Sequence, residues 1–197
     1  MSNRLSFLAE VIECSLSRFK GQCWQKDGVP PFGSLMVVDD GNRLVFGLVQ
    51  QIYTISDDAV RHINAYQKTE EELLRDQPQI FTFIKTFFHV LVLGYQQDGQ
   101  IFQKLSPLPV RLHSFIRPAC IEEYKSFFKE HYYVNLLFNQ ANQIDNIDEL
   151  LLTLVNNFKE KGLSEEFVEA LIEQYALLNS ADYRRLKFFI ERIENSL

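Results

Sequence analysis

Pro30-Pro31-Phe32-Gly33-Ser34-Leu35-Met36-Val37-Val38-Asp39-Asp40-Gly41-Asn42-Arg43-Leu44-Val45-Phe46-Gly47-Leu48-Val49 is the stretch whose reading decides the fold. Two prolines and a glycine lead into a run containing Val37 and Val38, an acidic glycine turn follows, and a second hydrophobic run carries Gly47 in its interior. Asp40-Gly41-Asn42 between two apolar runs is a strong hairpin signal. A glycine inside a strand marks a bulge or a tight barrel corner. The chain therefore begins as a small closed or half-closed β-structure and not as a nucleotide-binding βαβ unit.

Working outward, strand patterning recurs over residues 8–14, 18–24, 34–38, 44–55, 87–95 and 100–104, with Gln96-Gln97-Asp98-Gly99 as the turn before the last. One helical insertion interrupts them. Thr69 is placed as an N-cap, Glu70, Glu71 and Glu72 follow where the helix dipole favours carboxylates, and Pro78 stops the helix. Past Pro118 the periodicity becomes helical. Leu150, Leu151, Leu154, Val155 and Phe158 share one face, as do Phe167, Val168, Leu171, Ile172 and Tyr175. Gly162-Leu163-Ser164-Glu165-Glu166 reads as a helix end followed by a new N-cap, and Asn179-Ser180-Ala181-Asp182 separates off a last helix over 183–193. The expected class is α+β: a small β-barrel with a helical insertion over 1–115, then an all-helical region over 116–197.

The 197 residues, 46% hydrophobic with 17 Phe, suffice for a packed core. The net charge is −6; residues 1–115 carry 11 Lys+Arg against 12 Asp+Glu, and residues 116–197 carry 9 against 14, so most of the acidity lies on the helices. That balance argues against a surface that binds nucleic acid throughout. Cys14, Cys23 and Cys120 form an odd, unspaced set, read as small buried hydrophobes in a reducing compartment. Met1-Ser2-Asn3-Arg4-Leu5 lacks the apolar core of a signal peptide, and no run approaches 18 apolar residues, so a soluble cytoplasmic protein with no membrane contact is expected.

Chemistry-bearing patterns are sparse. No G-x-x-x-x-G-K-[ST] loop exists, and Gly41, Gly47, Gly94 and Gly99 stand in strand or turn contexts, which excludes nucleotide hydrolysis by a phosphate-binding loop. His62, His89, His113 and His131 are scattered without metal-ligand spacing, and no cofactor is implied. His113 reads as a histidine bonding backbone where barrel meets helices; the alternative, a nucleophile pair with Cys120, lacks an orienting third group. Asp39-Asp40 and Asp57-Asp58 stand where turns end strands and read as local caps, with acid–base or Mg²⁺ chemistry as the alternative. Phe81, Phe83, Phe87 and Phe88, with Phe127, Phe128, Tyr132 and Tyr133, are core residues or, failing that, stacking or docking platforms. Arg184, Arg185, Lys187 and Arg192 on the last helix form the one basic cluster, suited to salt bridges with neighbouring acidic helices or to contact with phosphate or a partner. Gly33, Gly47 and Gly94 are the glycines expected to be structural, the latter two standing where a side chain would collide with a neighbouring strand.

The ordered set Gly33-Ser34-Leu35-Met36-Val37-Val38, Val45-Phe46-Gly47-Leu48-Val49, Glu70-Glu71-Glu72-Leu73, Gln77-Pro78-Gln79-Ile80, Gly94-Tyr95, Pro107-Leu108-Pro109 and Leu112-His113-Ser114-Phe115 resembles the HAS-barrel family, the small barrel shared by HerA-type ATPases and the catalytic subunits of rotary ATP synthases. It is most similar to stand-alone bacterial members in which a helical tail follows the barrel. The resemblance implies assembly and docking, and it carries over no catalytic residue. The chain departs from HerA-type motors in having no ATPase core, so it would act in trans. The favoured expectation is thus a non-catalytic module engaging itself or an ATPase through barrel edges and the helical tail. The alternatives are a nucleic-acid-binding accessory protein using the strand aromatics and the last helix, and an enzyme built on His113, Cys120 or the aspartate pairs.

Overall fold

A computed structural model describes residues 7–25, 28–56, 65–163 and 165–195. Asp57, Asp58, His62 and Ser164 lie outside the described residues. The quoted stretch forms the hairpin read from it. Strands Ala9–Cys14 (β1), Arg18–Cys23 (β2), Leu35–Asp39 (β3), Leu44–Ser56 (β4), Ile84–Gln97 (β5), Gln100–Phe102 (β6) and Phe115–Pro118 (β7) make one sheet. Its order β2-β1-β7-β3-β4-β5 returns to β2 through a β2–β5 pairing, so six antiparallel strands close a barrel and β6 lengthens β5 as a flap. Closure decides between the closed and half-closed alternatives. Each strand of the ring has a neighbour on both sides, but the outer half of β4, Gln51 to Ser56, pairs among the described residues with β5 alone and keeps one edge open.

β7 was absent from the six expected strands. It is four residues long, contains Arg117 and Pro118, and has no alternation to read; it earns its place only by pairing β1 on one side and β3 on the other. The expected strand over 87–95 extends in both directions to Ile84–Gln97, and that over 100–104 shortens to Gln100–Phe102. Two irregularities bend the long β4–β5 ladder. Phe46 pairs Gly94 while Gly47 pairs Val92, leaving Leu93 as an extra residue on β5; Gln50 is the extra residue on β4. The bulge at Gly47 therefore sits on the strand opposite.

Alternation sorts the strand side chains into two cores. Val11, Phe19, Met36, Val45, Phe88 and Ile116 point inward and fill the barrel, as interiors of barrels this small are filled. Leu35, Val37, Phe46, Leu48, Leu91 and Leu93 point outward, yet all are completely buried. What covers them is the helical region: Ile121–Phe127 (α3), Tyr132–Asn139 (α4), Ile147–Glu160 (α5), Glu165–Leu178 (α6) and Tyr183–Glu194 (α7). For that labelling the insertion comprises Glu70–Asp76 and Ile80–Phe83, short helices placed before β5. The first has the expected Thr69 cap: the Glu72 amide donates to Thr69 Oγ1 (3.3 Å) and the Thr69 amide to the Glu72 carboxylate (2.8 Å).

Polar stitches fix the helical layer on the barrel. The Leu35 amide donates to the Tyr124 hydroxyl (2.7 Å), and Asn157 Nδ2 donates to the Gly33 carbonyl (2.9 Å). Gly33 has φ +72°, and a methyl group on it would lie 2.8 Å from Thr153 Cγ2, so α5 packs directly on the turn entering β3. After β6, Gln103 Nε2 donates to the carbonyls of Phe127 (2.6 Å) and Glu130 (2.7 Å), and its Oε1 accepts from the Tyr133 amide (2.9 Å). One side chain thereby ties the β6 flap to the end of α3 and the start of α4.

Candidate functional site

The last helix carries the sequence-predicted basic cluster, and the structure engages most of it. Asp182 caps the helix by accepting from the Arg185 amide (3.0 Å). The Arg185 guanidinium grips Asp148 of α5 with two bonds (2.9 and 2.8 Å), and Arg192 does the same to Glu149 (2.6 and 2.9 Å). Arg192 holds the Glu149 carboxyl below its usual range. Tyr175 stacks on Phe189 at 3.9 Å and donates to the same Asp148 (3.0 Å); burial first, then that carboxylate, raises the Tyr175 phenol above its usual range. Lys187 reaches Glu191 at 3.7 Å, and Arg184 is exposed with no ion pair among the described residues.

The histidine and cysteine candidates are not brought into one site. His113 takes φ +66° and its Nδ1 meets Glu10 Oε1 at 2.5 Å, while its amide donates to the Val11 carbonyl (2.9 Å). Cys120 precedes α3, where its amide donates to Glu123 (2.8 Å). Cys120 is exposed, Cys14 half-buried and Cys23 buried, so only Cys23 matches the expectation of a buried thiol. Partial burial raises the Cys120 thiol above its usual range, opposite to what activates a nucleophile. Burial likewise pushes Cys23 up to about 11. Among the described residues no group of three or more His, Cys, Asp or Glu is placed to hold a metal ion. His89 lies on the outer barrel face, where burial and then Lys20 lower its pKa.

Asp39 and Asp40 serve their turn: Asp39 accepts from the Gly41 amide (2.8 Å), Asp40 from the Asn42 and Arg43 amides (both 3.2 Å). Asp40 also pairs with Arg43 Nε (2.9 Å), and the rest of that guanidinium donates to Ser106 and to the carbonyls of Leu108 (2.8 Å) and Pro109 (3.1 Å). Of the aromatic candidates, Phe87, Phe88, Phe127, Phe128 and Tyr133 are buried, Phe81 and Phe83 half-buried, and Tyr132 exposed. A methyl on Gly47 would come within 2.5 Å of the Leu91 carbonyl oxygen, and one on Gly94 would run into the Phe102 carbonyl oxygen.

Two surfaces remain. At one end of the barrel a pocket of about 350 Å³ is lined by Cys23, Trp24, Lys85, Thr54 and Thr86 among others, but its two hydroxyls already bond each other at 2.9 Å. The larger feature, about 530 Å³, is a groove formed by the end of α5 with α6 and α7. Leu163, Val168, Ile172, Ile190 and Ile193 give it an apolar lining, while Glu165, Glu169, Glu194 and Lys159 stand around it. The three glutamates are exposed and make no hydrogen bond or ion pair among the described residues. Beyond the groove, Leu177, Tyr183 and Phe188 are 68%, 76% and 60% exposed. Sequence reasoning missed this groove, since its apolar lining comes from separate helices and none reveals it alone. No helix among the described residues is long and apolar enough to cross a membrane. No family model matches this chain, and no curated protein matches it.

Proposed function

We propose that this chain is a non-catalytic assembly and docking module of the HAS-barrel kind, acting in trans with a HerA-type ATPase or a comparable DNA-processing machine in the cytoplasm. The observation that carries the reading is the α6–α7 surface, where carboxylates with no ion pair among the described residues stand around an apolar groove, and where Leu177, Tyr183 and Phe188 of the same two helices are exposed. Contiguous apolar surface with a charged rim is the usual mark of a protein-interaction site. The barrel supplies the rigid support: its interior is occupied by its own side chains and its strands are all paired.

Affinity purification of the tagged protein from its source cells, with and without nuclease, tests the reading. A stoichiometric ATPase or nuclease retained after nuclease treatment is the expected result. Recovery of no partner of either kind contradicts it.

A second reading, a nucleic-acid accessory protein, has one favourable observation. On the uncovered barrel face Tyr53 stacks with Phe87 (5.7 Å) and His89 (5.6 Å), and the Lys20 ammonium lies 4.4 Å from the Phe87 ring centre. Stacked rings with a neighbouring cation suit single strands, but Phe87 is 4% exposed and Arg185 and Arg192 are committed to carboxylates. Binding that weakens steeply with salt supports this reading, and no binding at low salt removes it.

A further inference from the structure

The docking reading leaves the partner of the α6–α7 groove open, and the inference that follows rests on that reading. The groove stands at one end of a helix pair. Tyr175 of α6 stacks on Phe189 of α7, and beyond that stack Val168 and Ile172 meet Ile190 and Ile193. The first half of α6 therefore lies beside the last turns of α7, and Leu163, just past α5, completes the apolar lining. On α6 the lining residues Glu165, Val168, Glu169 and Ile172 fall at i, i+3, i+4 and i+7. On α7, Ile190, Ile193 and Glu194 fall at i, i+3 and i+4. Each carboxylate thus shares its stripe with the apolar lining and stands on the same face.

What the groove can hold follows from what its walls offer. Its lining residues lie on or beside helices, so it presents no strand edge to which an extended chain could add. Such a chain would lay its amides and carbonyls on Val168, Ile172 and Ile190 with nothing to receive them. A helix satisfies its backbone internally and needs only an apolar face to enter. Charge decides what borders that face. Glu165, Glu169 and Glu194 are exposed and without an ion pair among the described residues, against a single lining cation, Lys159. Glu194 ends α7, where the helix dipole disfavours an anion. Neighbouring cations are engaged elsewhere: Arg192 grips Glu149, Lys187 reaches Glu191, and Lys161 lies 4.6 Å from the Tyr124 ring centre. The excess of carboxylates repels phosphate, which counts against nucleic acid and anionic headgroups at this surface. The stripe from Glu165 to Ile172 is about 10 Å long, or about two helical turns. We infer that the groove receives an amphipathic helix of a protein partner, with a short apolar stripe bordered by Lys or Arg.

The test is a display library of short randomised peptides, selected in parallel on the full wild-type chain and on Glu169→Lys with Glu194→Lys. Both positions are exposed, so the variant should melt like wild type. Wild type is expected to enrich peptides with apolar residues at i, i+3 or i+4, and i+7 and with Lys or Arg beside them. The variant should enrich the same apolar spacing with Asp or Glu in the bordering positions. A labelled winner from the wild-type selection, titrated on both proteins, should show a dissociation constant on the order of 30-fold higher on the variant. Proline placed in the middle of that winner's stripe should abolish its binding, because the helix can no longer form. No enrichment on wild type overturns the inference, as does a winner without basic residues or one that binds both proteins alike. A winner that tolerates the proline is extended and overturns it too. The docking reading fails separately: it falls when the affinity purification retains no ATPase or nuclease, whatever peptides the groove selects.

Discussion

The two buried faces of the β3–β4–β5 sheet are alike in chemistry and unlike in what seals them. Inside the ring, Met36, Val38, Val45, Val49, Phe88 and Val90 pack against the barrel's own strands. Outside, Leu35, Val37, Phe46, Leu48, Leu91 and Leu93 are sealed chiefly by helices that follow later in the chain, with Phe32, Leu44 and Ile101 at the margin of the same cluster. Strand β5 is consequently apolar on both faces, which an antiparallel strand seldom is when one side meets water. The inner core is finished once the ring closes. The helical layer has one side on the barrel and another facing outward, and there the groove and the exposed aromatic residues lie. The division of labour follows: a closed barrel that fixes position, and a helical layer that offers a surface.

The largest expected effect attacks the outer seal. A fragment ending at Pro118 keeps all seven strands but uncovers six fully buried apolar residues. It should fail to give a cooperative melt and should aggregate; a soluble fragment with a sharp transition would show that the barrel does not depend on the helices. Next, Gly47→Val strikes the ring itself, where the added carbon meets the backbone of Leu91 and Val90 Cγ1. A loss of about 3 kcal/mol or more is expected from chemical denaturation, and a neutral result would break the account of the bulge.

The stitches between the two regions come after. Tyr124→Phe removes the acceptor for the buried Leu35 amide, and burial pushes the Tyr124 hydroxyl up to about 12, so it stays neutral through the physiological range. A loss of about 1–3 kcal/mol is expected, with no change in the apparent size of the protein. A smaller effect with a defined pH dependence belongs to Glu123. Burial raises its carboxyl, but the two Arg117 bonds (2.7 and 2.6 Å) and the Cys120 amide outweigh it and leave the pKa lowered. A carboxyl depressed in the folded state contributes stability that is complete above the ordinary glutamate value and lost as pH falls through the folded one. Glu123→Gln should cost about 1 kcal/mol near neutral pH, and the two melting curves should converge on acidification below about pH 4. A gap that persists in acid would mean that the charge is not what counts.

Elements that announce themselves locally were legible in the sequence. The Asp40-Gly41-Asn42 hairpin needs only neighbours to form, as does the Thr69 capping box, and the three last helices declare their faces by period. The closing strand Phe115–Pro118 does not, because its meaning comes from β1 and β3, which are far away in the chain. The same holds for the site. Arg185 and Arg192 look free in the sequence because their carboxylates stand 37 and 43 residues earlier. The groove is made by Val168 and Ile172 on one helix meeting Ile190 and Ile193 on another, so neither helix reveals it alone. Gln103, which joins strand flap to helices, reads in sequence as an ordinary polar residue after a short strand.

The comparison between a supporting barrel and an interacting helical layer is tested most directly by retention of partners on two surface variants side by side. Glu169→Lys with Glu194→Lys alters the helical groove; Lys20→Glu with Lys85→Glu alters the uncovered barrel face. Each would be tagged, checked for a wild-type melt, and used to capture proteins from source cells. The account predicts that the groove variant loses the proteins held by wild type and that the barrel variant keeps them. Loss on the barrel variant with retention on the groove variant would contradict it.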